Sequence, residues 1–453
     1  MNFDFECLGA FRKLSSKNHS RGVWFEVRDR LLASKREKRK LTRYIVSNEG
    51  LKVVRHVVVV TSSRADYGHL YWPMKDIEAS SSLRLSLVVM GAHLSARFGN
   101  TVTFIENDGF EIAARIDCLD PEDSDRGMAR TIGEATTKLT EVLSRLQPDI
   151  LLVIADRYEM LAPASVALAL RIPIAHIEGG DISEGAIDDA VRNALTKMAH
   201  LHFAPTEVAR QRVLAMGEEQ WRVVWTGAPS LDHLCRSVRP DRGQMEATMG
   251  IEISDRVCVV AYHAVTLQRD TTAELQALFD SLESWKHQIV FCFPNADAGN
   301  SEIERRADAF CAQRRNAKLF VNLDHLTYWA LLEHAEVLVG NSSSAIMETP
   351  SLGLPAVDVG DRQKGRTRAA NIVHAPATSD AITKAMRRVT MPTFRASLDG
   401  LVNPYGDGRA SERIVSSLTN APVREVLLHK RALALDTSGS HFVQEHEDST
   451  RPF

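Results

Sequence analysis

Along most of the chain, apolar runs of five to eight residues give way to Gly-, Asp- or Ser-bearing loops, and then to stretches whose apolar positions return every three or four residues. VVRHVVVV (53–60), RLSLVVMG (84–91), DILLVIA (149–155) and PIAHI (173–177) read as strands buried on both faces. GMARTIGEATTKLTEVLSRLQ (127–147), LAPASVALALR (161–171) and DDAVRNALTKMAHL (188–201) read as the helices between them. The pattern loosens into Gly, Pro and Arg around 225–244, as a linker would. It then restarts with VCVVAYH (257–263), HQIVFCFP (287–294), KLFVNL (318–323), EVLVGN (336–341) and PAVDVG (355–360). Strand–helix alternation of this kind implies an α/β protein built from two doubly wound parallel sheets. Residues 1–52, with the basic run SKREKRKLTR (34–43), lack strand patterning and read as an extension outside the core. The polar stretch after about 427 is expected to be disordered.

Composition narrows the class. With 453 residues, 44% hydrophobic and 25% charged, the chain can bury two or three cores. A net charge of −3 and a pI near 6.6 point to no nucleic acid and no membrane-surface partner. The cysteines at 7, 118, 235, 258, 292 and 311 form no CxxC pair and no Cys/His cluster, so free thiols in a reducing cytosol and no bound metal are expected. MNFDFECLGAFRK lacks a signal-peptide apolar segment, and no run reaches the roughly 20 apolar residues a membrane helix needs. A soluble cytoplasmic protein is the expectation. EDSD (122–125) mimics a metal-binding pair but reads as a solvated acidic loop. Neither GxGxxG nor GxxxxGK[ST] occurs, which argues against a dinucleotide site or a P-loop.

In open parallel sheets, ligands sit beyond the carboxyl ends of the strands. VVVVTSSRADYG puts Arg64 between a strand and a helix start, where free N–H groups favour an anion. LLVIADRYE leaves Asp156 and Arg157 at one strand tip; IPIAHIEGGD leaves His176 and Glu178 at the next. If those strands are neighbours, about 4.8 Å apart, Asp156 and Glu178 can face one reacting centre, as acid/base chemistry needs. Either could instead be a strand-end cap, and His176 could be a core histidine. AIDDAVRNA supplies Asp188 and Arg192, which also suit a first-turn acid and an i,i+4 ion pair. GNSSSAIMETPSLGLP (340–355) brings Asn341, Ser342 and Ser343 to a helix start with Glu348 behind them, a pattern for phosphate plus sugar hydroxyls. His263, Asn295, Arg362 and Arg366 fall at other strand ends of that half.

Taken together, SSRADYG, ADRYE, IAHIEGGD with AIDDAVRNALTKMAHLHF, YHAVT, NADAG, GNSSSAIMETPSLGLP, DRQKGR and NPYGDGRASERIV resemble the hydrolysing UDP-N-acetylglucosamine 2-epimerases over about residues 53–420. The resemblance implies a GT-B fold: an N-terminal Rossmann-like domain (53–228), a UDP-binding domain (229–404) and a closing helix (405–426) before the tail (427–453). It implies that UDP binds the second domain and the sugar lies in the interdomain cleft. Asn295 would serve the uracil side, Ser342 and Ser343 the phosphates, and Glu348 the ribose. Arg64, His263 and Arg362 would surround the diphosphate or glycosidic oxygen, with Arg157 near the sugar; His176 and Arg192 are expected among the substrate contacts. Asp156, Glu178 and Asp188 match the acid/base carboxylates, with His263 beside them. No cofactor is implied, and a homo-oligomer is expected. Ala264 and Asn193 depart from the proline and histidine common in the family. The short GGDISEGAIDDAVR favours hydrolysis over UDP-retaining epimerisation. A UDP-2,4-diacetamido-2,4,6-trideoxyhexose substrate, a UDP-retaining epimerase and a glycosyltransferase are the competing expectations.

Overall fold

The computed structural model describes residues 44–47, 50–293, 299–321 and 323–431. The chain forms two compact units, residues 1–55 and 56–453. In the first, β1 (Tyr44–Ser47) pairs antiparallel with β2 (Gly50–Val53), Tyr44 opposite Val53. This hairpin lies where no strand pattern was expected, because runs of four residues are too short to declare a period. The basic run at 34–43 lies outside the described residues.

The second unit holds two sheets. The first contains β3 (Arg55–Thr61), β4 (Leu83–Met90), β5 (Ile112–Ile116), β6 (Ile150–Ile154), β7 (Ile174–Ile177), β8 (Leu201–Ala204) and β9 (Val223–Trp225), in the order β5-β4-β3-β6-β7-β8-β9. The second contains β10 (Val257–Ala261), β11 (Gln288–Phe293), β12 (Ala317–Val321), β13 (Ala335–Gly340), β14 (Ala356–Val359) and β15 (Ile372–Ala375), in the order β12-β11-β10-β13-β14-β15. In each sheet the chain winds outward from a central strand and returns to wind the other way. The reversals fall between β3 and β6 and between β10 and β13, and such switch points open the crevice in which ligands of α/β proteins bind.

Alternate residues of β3 feed opposite faces. Val57 and Val59 pack with Tyr67, Leu70, Met74 and Ile77 of the helix Arg64–Ala79. Val58 and Val60 pack with Ala135, Leu139 and Leu143 of the helix Asp125–Leu146. Each such side chain, fully buried, contributes on the order of 1.5–3 kcal/mol. Ile414 and Leu418 of the helix Ala410–Asn420, with Leu427, complete the Val57/Val59 face from the far end of the chain. Asp232 anchors that helix, accepting from Ala410 N and Ser411 N at 2.8 Å each.

Several elements differ from expectation. The helix from 188 ends at Met198, and LHFA (201–204) is a strand. β5, β9 and β15 lie at sheet edges, where half-exposed short strands lose the all-apolar signature. The stretch read as a linker holds the helices Asp232–Arg236 and Arg242–Met249. The closing helix is two helices, Ala410–Asn420 and Arg424–Leu428, interrupted at Pro422, which removes a backbone donor. Part of the polar tail, to Arg431, is described, and 432–453 lie outside the described residues.

Candidate functional site

Strands β6 and β7 are neighbours, with Ile154 opposite Ile177, so Asp156 and Glu178 leave adjacent strand ends. Both strands exit through left-handed backbone: Ala155 has φ 57° and Glu178 φ 67°. For residues with a Cβ this conformation costs about 1–2 kcal/mol each. The glycines after Glu178 are needed for space. A Cβ on Gly179 would come 3.0 Å from His176 Nδ1, and one on Gly180 (φ 80°) would come 2.3 Å from Ala209 O. IEGGD is therefore a strand end turned tightly between His176 of its own strand and the helix Glu207–Ala215, with Glu178 buried.

Two arginines hold the carboxylates of this rim. Arg192 is fully buried, donates to Asp156, and reaches Ser183 Oγ at 3.0 Å and Asp181 O at 3.1 Å. Arg366, from the second sheet, lies 3.3 Å from Asp181 and 3.9 Å from Asp156. Asp188 accepts from Arg362 Nη2 at 3.0 Å, joining the two sheets, while Arg192 lies 3.6 Å from Asp189. More contacts close the same junction: Glu184 N to Lys364 O at 3.1 Å, Ile187 N to Thr266 Oγ1 at 3.0 Å, and Arg366 Nε to Ile182 O at 2.9 Å. Gly185 has no room for a side chain there, since a Cβ would fall 2.4 Å from Asp361 O.

On the second sheet, the Asn341 side chain ties β10 to β13, accepting from His263 N at 2.7 Å and donating to His263 O at 2.9 Å. Arg362 Nη1 and Gln363 Nε2 both donate to Asn341 O. Burial, followed by Arg362, Arg157 and Arg64, pushes His263 well below its ordinary value, so its ring is neutral, and its Nδ1 has no partner among the described residues. Those arginines come from both sheets. Arg64 begins the first-sheet helix and donates to Leu323 O across the junction; Arg157 donates to Glu159 at 3.1 Å. Guanidinium groups crowded around a neutral imidazole describe a seat for a polyanion.

The serine-rich turn is more differentiated than its sequence suggests. Its helix, Ser344–Met347, is a single turn. Ser342 Oγ accepts from Ser344 N at 3.3 Å, while Ser344 Oγ donates to Glu348 and accepts from Tyr328 at 2.9 Å. Ser342 and Ser343 stand at the turn's start; the third serine serves Glu348. Asn295 lies outside the described residues.

His176 stands apart from the other expected substrate contacts. Its side chain is fully buried, with Nε2 2.8 Å from Ala155 O and Nδ1 3.5 Å from Thr196 Oγ1, and burial pushes it down to about 4. Both nitrogens have partners within the fold, so the ring braces the turn from inside. The EDSD loop is surface, with Glu122, Asp123 and Asp125 exposed, and it also makes a long-range contact. Asp123 accepts from Gly299 N at 3.0 Å and Ser301 N at 3.1 Å, capping the helix Asn300–Ala312 of the other sheet. Among the described residues, no group of three His, Cys, Asp or Glu side chains could hold a metal ion, and no helix is long and apolar enough to cross a membrane.

The family profile described as UDP-N-acetylglucosamine 2-epimerase matches residues 75–419. The chain belongs to this family. A UDP-N,N'-diacetylbacillosamine 2-epimerase (hydrolyzing) of Legionella pneumophila is 33% identical over 83% of this chain and 99% of its own. The GDP/UDP-N,N'-diacetylbacillosamine 2-epimerase (hydrolyzing) of Campylobacter jejuni is 31% identical over 84% and 99%. A UDP-N-acetylglucosamine 2-epimerase of Neisseria meningitidis serogroup B is 29% identical over 84% and 100%. The crystal structure of UDP-GlcNAc 2-epimerase from Neisseria meningitidis superimposes with a TM-score of 0.68 at 19% identity, over 80% of this chain and 99% of that one. The fold is thus GT-B, as expected.

Within this 2-epimerase frame, the sequence reading passed over two residues that the site contains. His69, on the helix Arg64–Ala79, lies 2.7 Å from Glu178 and 4.0 Å from Glu348, one carboxylate from each sheet. Asp181 is buried and pushed up by that burial. The D of HIEGGD was a visible signal for Asp181, while His69 sits in mid-helix without a motif to mark it.

Proposed function

We propose that the chain is a hydrolysing 2-epimerase of a UDP-linked 2-acetamido sugar, releasing UDP and the free C2-inverted sugar. The observation that carries the reading is the convergence at one junction of carboxylates from the first sheet with arginines, His263 and the serine-rich turn of the second, joined by Asp188 and Arg362. Arg64, Arg362 and the Ser342–Ser343 turn would hold the diphosphate, Glu348 the ribose, and Asn295 the uracil side. No carbonyl acidifies the sugar's C2–H. The C1–O bond to UDP must therefore begin to break, and cationic groups around the leaving phosphate favour that step. A carboxylate takes the C2 proton as the C1–O electron pair departs with UDP, leaving a 2-acetamidoglucal. Water then adds its oxygen to C1, and an acid returns a proton to C2 from the opposite face. Asp156, Glu178 and Asp188 are the groups proposed for these transfers.

Relatives at 33% and 31% identity, both named as hydrolysing enzymes of diacetylbacillosamine nucleotides, favour UDP-N,N'-diacetylbacillosamine as substrate. UDP-N-acetylglucosamine, giving N-acetylmannosamine for sialic acid synthesis, is the second reading, supported by the relative at 29%. Incubation with each UDP-sugar in D₂O, without acceptor, tests both. Free UDP with a C2-deuterated 2-epimer is expected. A UDP-linked epimer would redirect the reading to the UDP-retaining reaction, and two inert sugars would remove it.

A further inference from the structure

We propose that His69 is a positioning residue that holds Glu178 as the ionised base of the elimination step, an inference that rests on the 2-epimerase reading above. Glu178 is buried, and a buried carboxylate tends to take up a proton. At this site it has a fixed partner: His69 Nδ1 meets Glu178 Oε1 at 2.7 Å. Among the described residues no hydrogen bond reaches Oε2, which is left as the oxygen available to a substrate proton. The imidazole is itself placed by both halves of the junction, with Nε2 4.0 Å from Glu348 Oε1.

The groups facing this pair all bear on its protonation. Burial works against charge on His69, but Glu178, then Glu348 and Asp66, outweigh it and push the ring up to about 9. His233, on the neighbouring helix Asp232–Arg236, is pushed down, by burial first and by His69 among its neighbours. For Glu178, burial alone would raise the carboxyl; His69, Arg366 and His176 bring it below its ordinary value. At neutral pH the pair is imidazolium and carboxylate. In the step assigned to it, Glu178 Oε2 takes the C2 proton, the C2–H electrons form the C1=C2 bond, and the C1–O pair leaves with UDP. The returning acid must then be another group, since a carboxyl held this low is a poor proton donor.

The test compares wild type with His69→Gln and His69→Lys, the former neutral and the latter still cationic. With whichever UDP-sugar is turned over, the acid limb of the kcat/KM profile is expected to move up by about one pH unit in H69Q. That is a loss of about tenfold on the acid side, with convergence toward wild type above the limb. H69K should restore most of the limb's position. An unmoved limb in H69Q, or equal losses at every pH in both variants, would overturn the proposal in favour of a structural role. A second measurement needs no turnover: in ¹³C-histidine-labelled free enzyme, the resonance absent from H69Q should titrate near 9 and fall in Glu178→Gln. A His69 that titrates at its ordinary value in wild type overturns the pairing. A high value in an enzyme inert to every UDP-sugar leaves the pairing standing and removes the functional reading instead.

Discussion

Replacing Gly180 by alanine tests whether the IEGGD turn is held by space or by conformation alone. At φ 80° an alanine pays the left-handed penalty, about 1–2 kcal/mol. Its Cβ would also stand 2.3 Å from Ala209 O and 2.6 Å from Val213 Cγ2, both on the helix Glu207–Ala215, and relieving such overlap costs a further ~1–3 kcal/mol. Gly109 supplies the control, since it has φ 81° and nothing within 4 Å of the position a Cβ would take. Gly109→Ala should lose about 1 kcal/mol and Gly180→Ala about 3 kcal/mol, read as shifts of the urea midpoint followed by tryptophan fluorescence. Turnover should fall in the Gly180 variant alone, because Glu178 and Asp181 flank the displaced turn. Equal midpoints for the two variants would refute the steric argument.

Glu178→Gln is expected to leave UDP affinity nearly intact, by calorimetry, while lowering kcat by about 10²–10⁴-fold; a large loss of UDP binding would mark the residue as structural. Arg362→Ala should weaken UDP by about 10–100-fold through a lost charge-assisted contact, and unchanged titration isotherms would sink that assignment. Acid stability offers a separate check at Glu218. Burial alone would raise its carboxyl, but hydrogen bonds from His202, Lys197 and Lys430 hold it at about 2 against an ordinary 4.5. A depressed carboxylate stabilises fully above the unfolded value, and that stability drains as pH falls from 4.5 toward 2. Glu218→Gln should therefore lower the urea midpoint at pH 6 and flatten its decline below pH 4.5; a parallel decline in both proteins would contradict this. Asp123→Ala removes the cap on Gly299 and Ser301, and should raise KM more than it lowers kcat if that contact helps hold the two sheets together.

The strands buried on both faces were legible because β-branched runs such as VVVV (57–60) have no polar alternation to confuse them. Edge strands were hidden by the same logic: IAARI (112–116) carries an arginine on its exposed side. Asp156 and Glu178 were readable as a pair on the condition that their strands were neighbours, and β6 and β7 are. Asp188 was readable as a candidate, but its partner was not, since Arg362 is 174 residues away and a local i,i+4 arginine offered a simpler answer. His176 was readable as a strand-end or core histidine, but its two partners, Ala155 O and Thr196 Oγ1, were not. Asp123 is exposed, as it looked, but its partners Gly299 and Ser301 were hidden because they belong to the other sheet. What the sequence withheld was mostly contact across the junction, where no short-range spacing rule applies.

The last helices have a consequence for how this chain can be made. Ile414, Leu418 and Leu427 finish an apolar surface that begins with Val57, more than 350 residues earlier. A ribosome that has released everything up to Asn403 has synthesised every strand of both sheets, yet the part of one face of the first that the helix Arg64–Ala79 leaves to Ile414, Leu418 and Leu427 still faces water. That half should gain its full stability only after the C-terminal segment emerges, and a fragment ending near residue 228 should be sticky however completely its strands have paired.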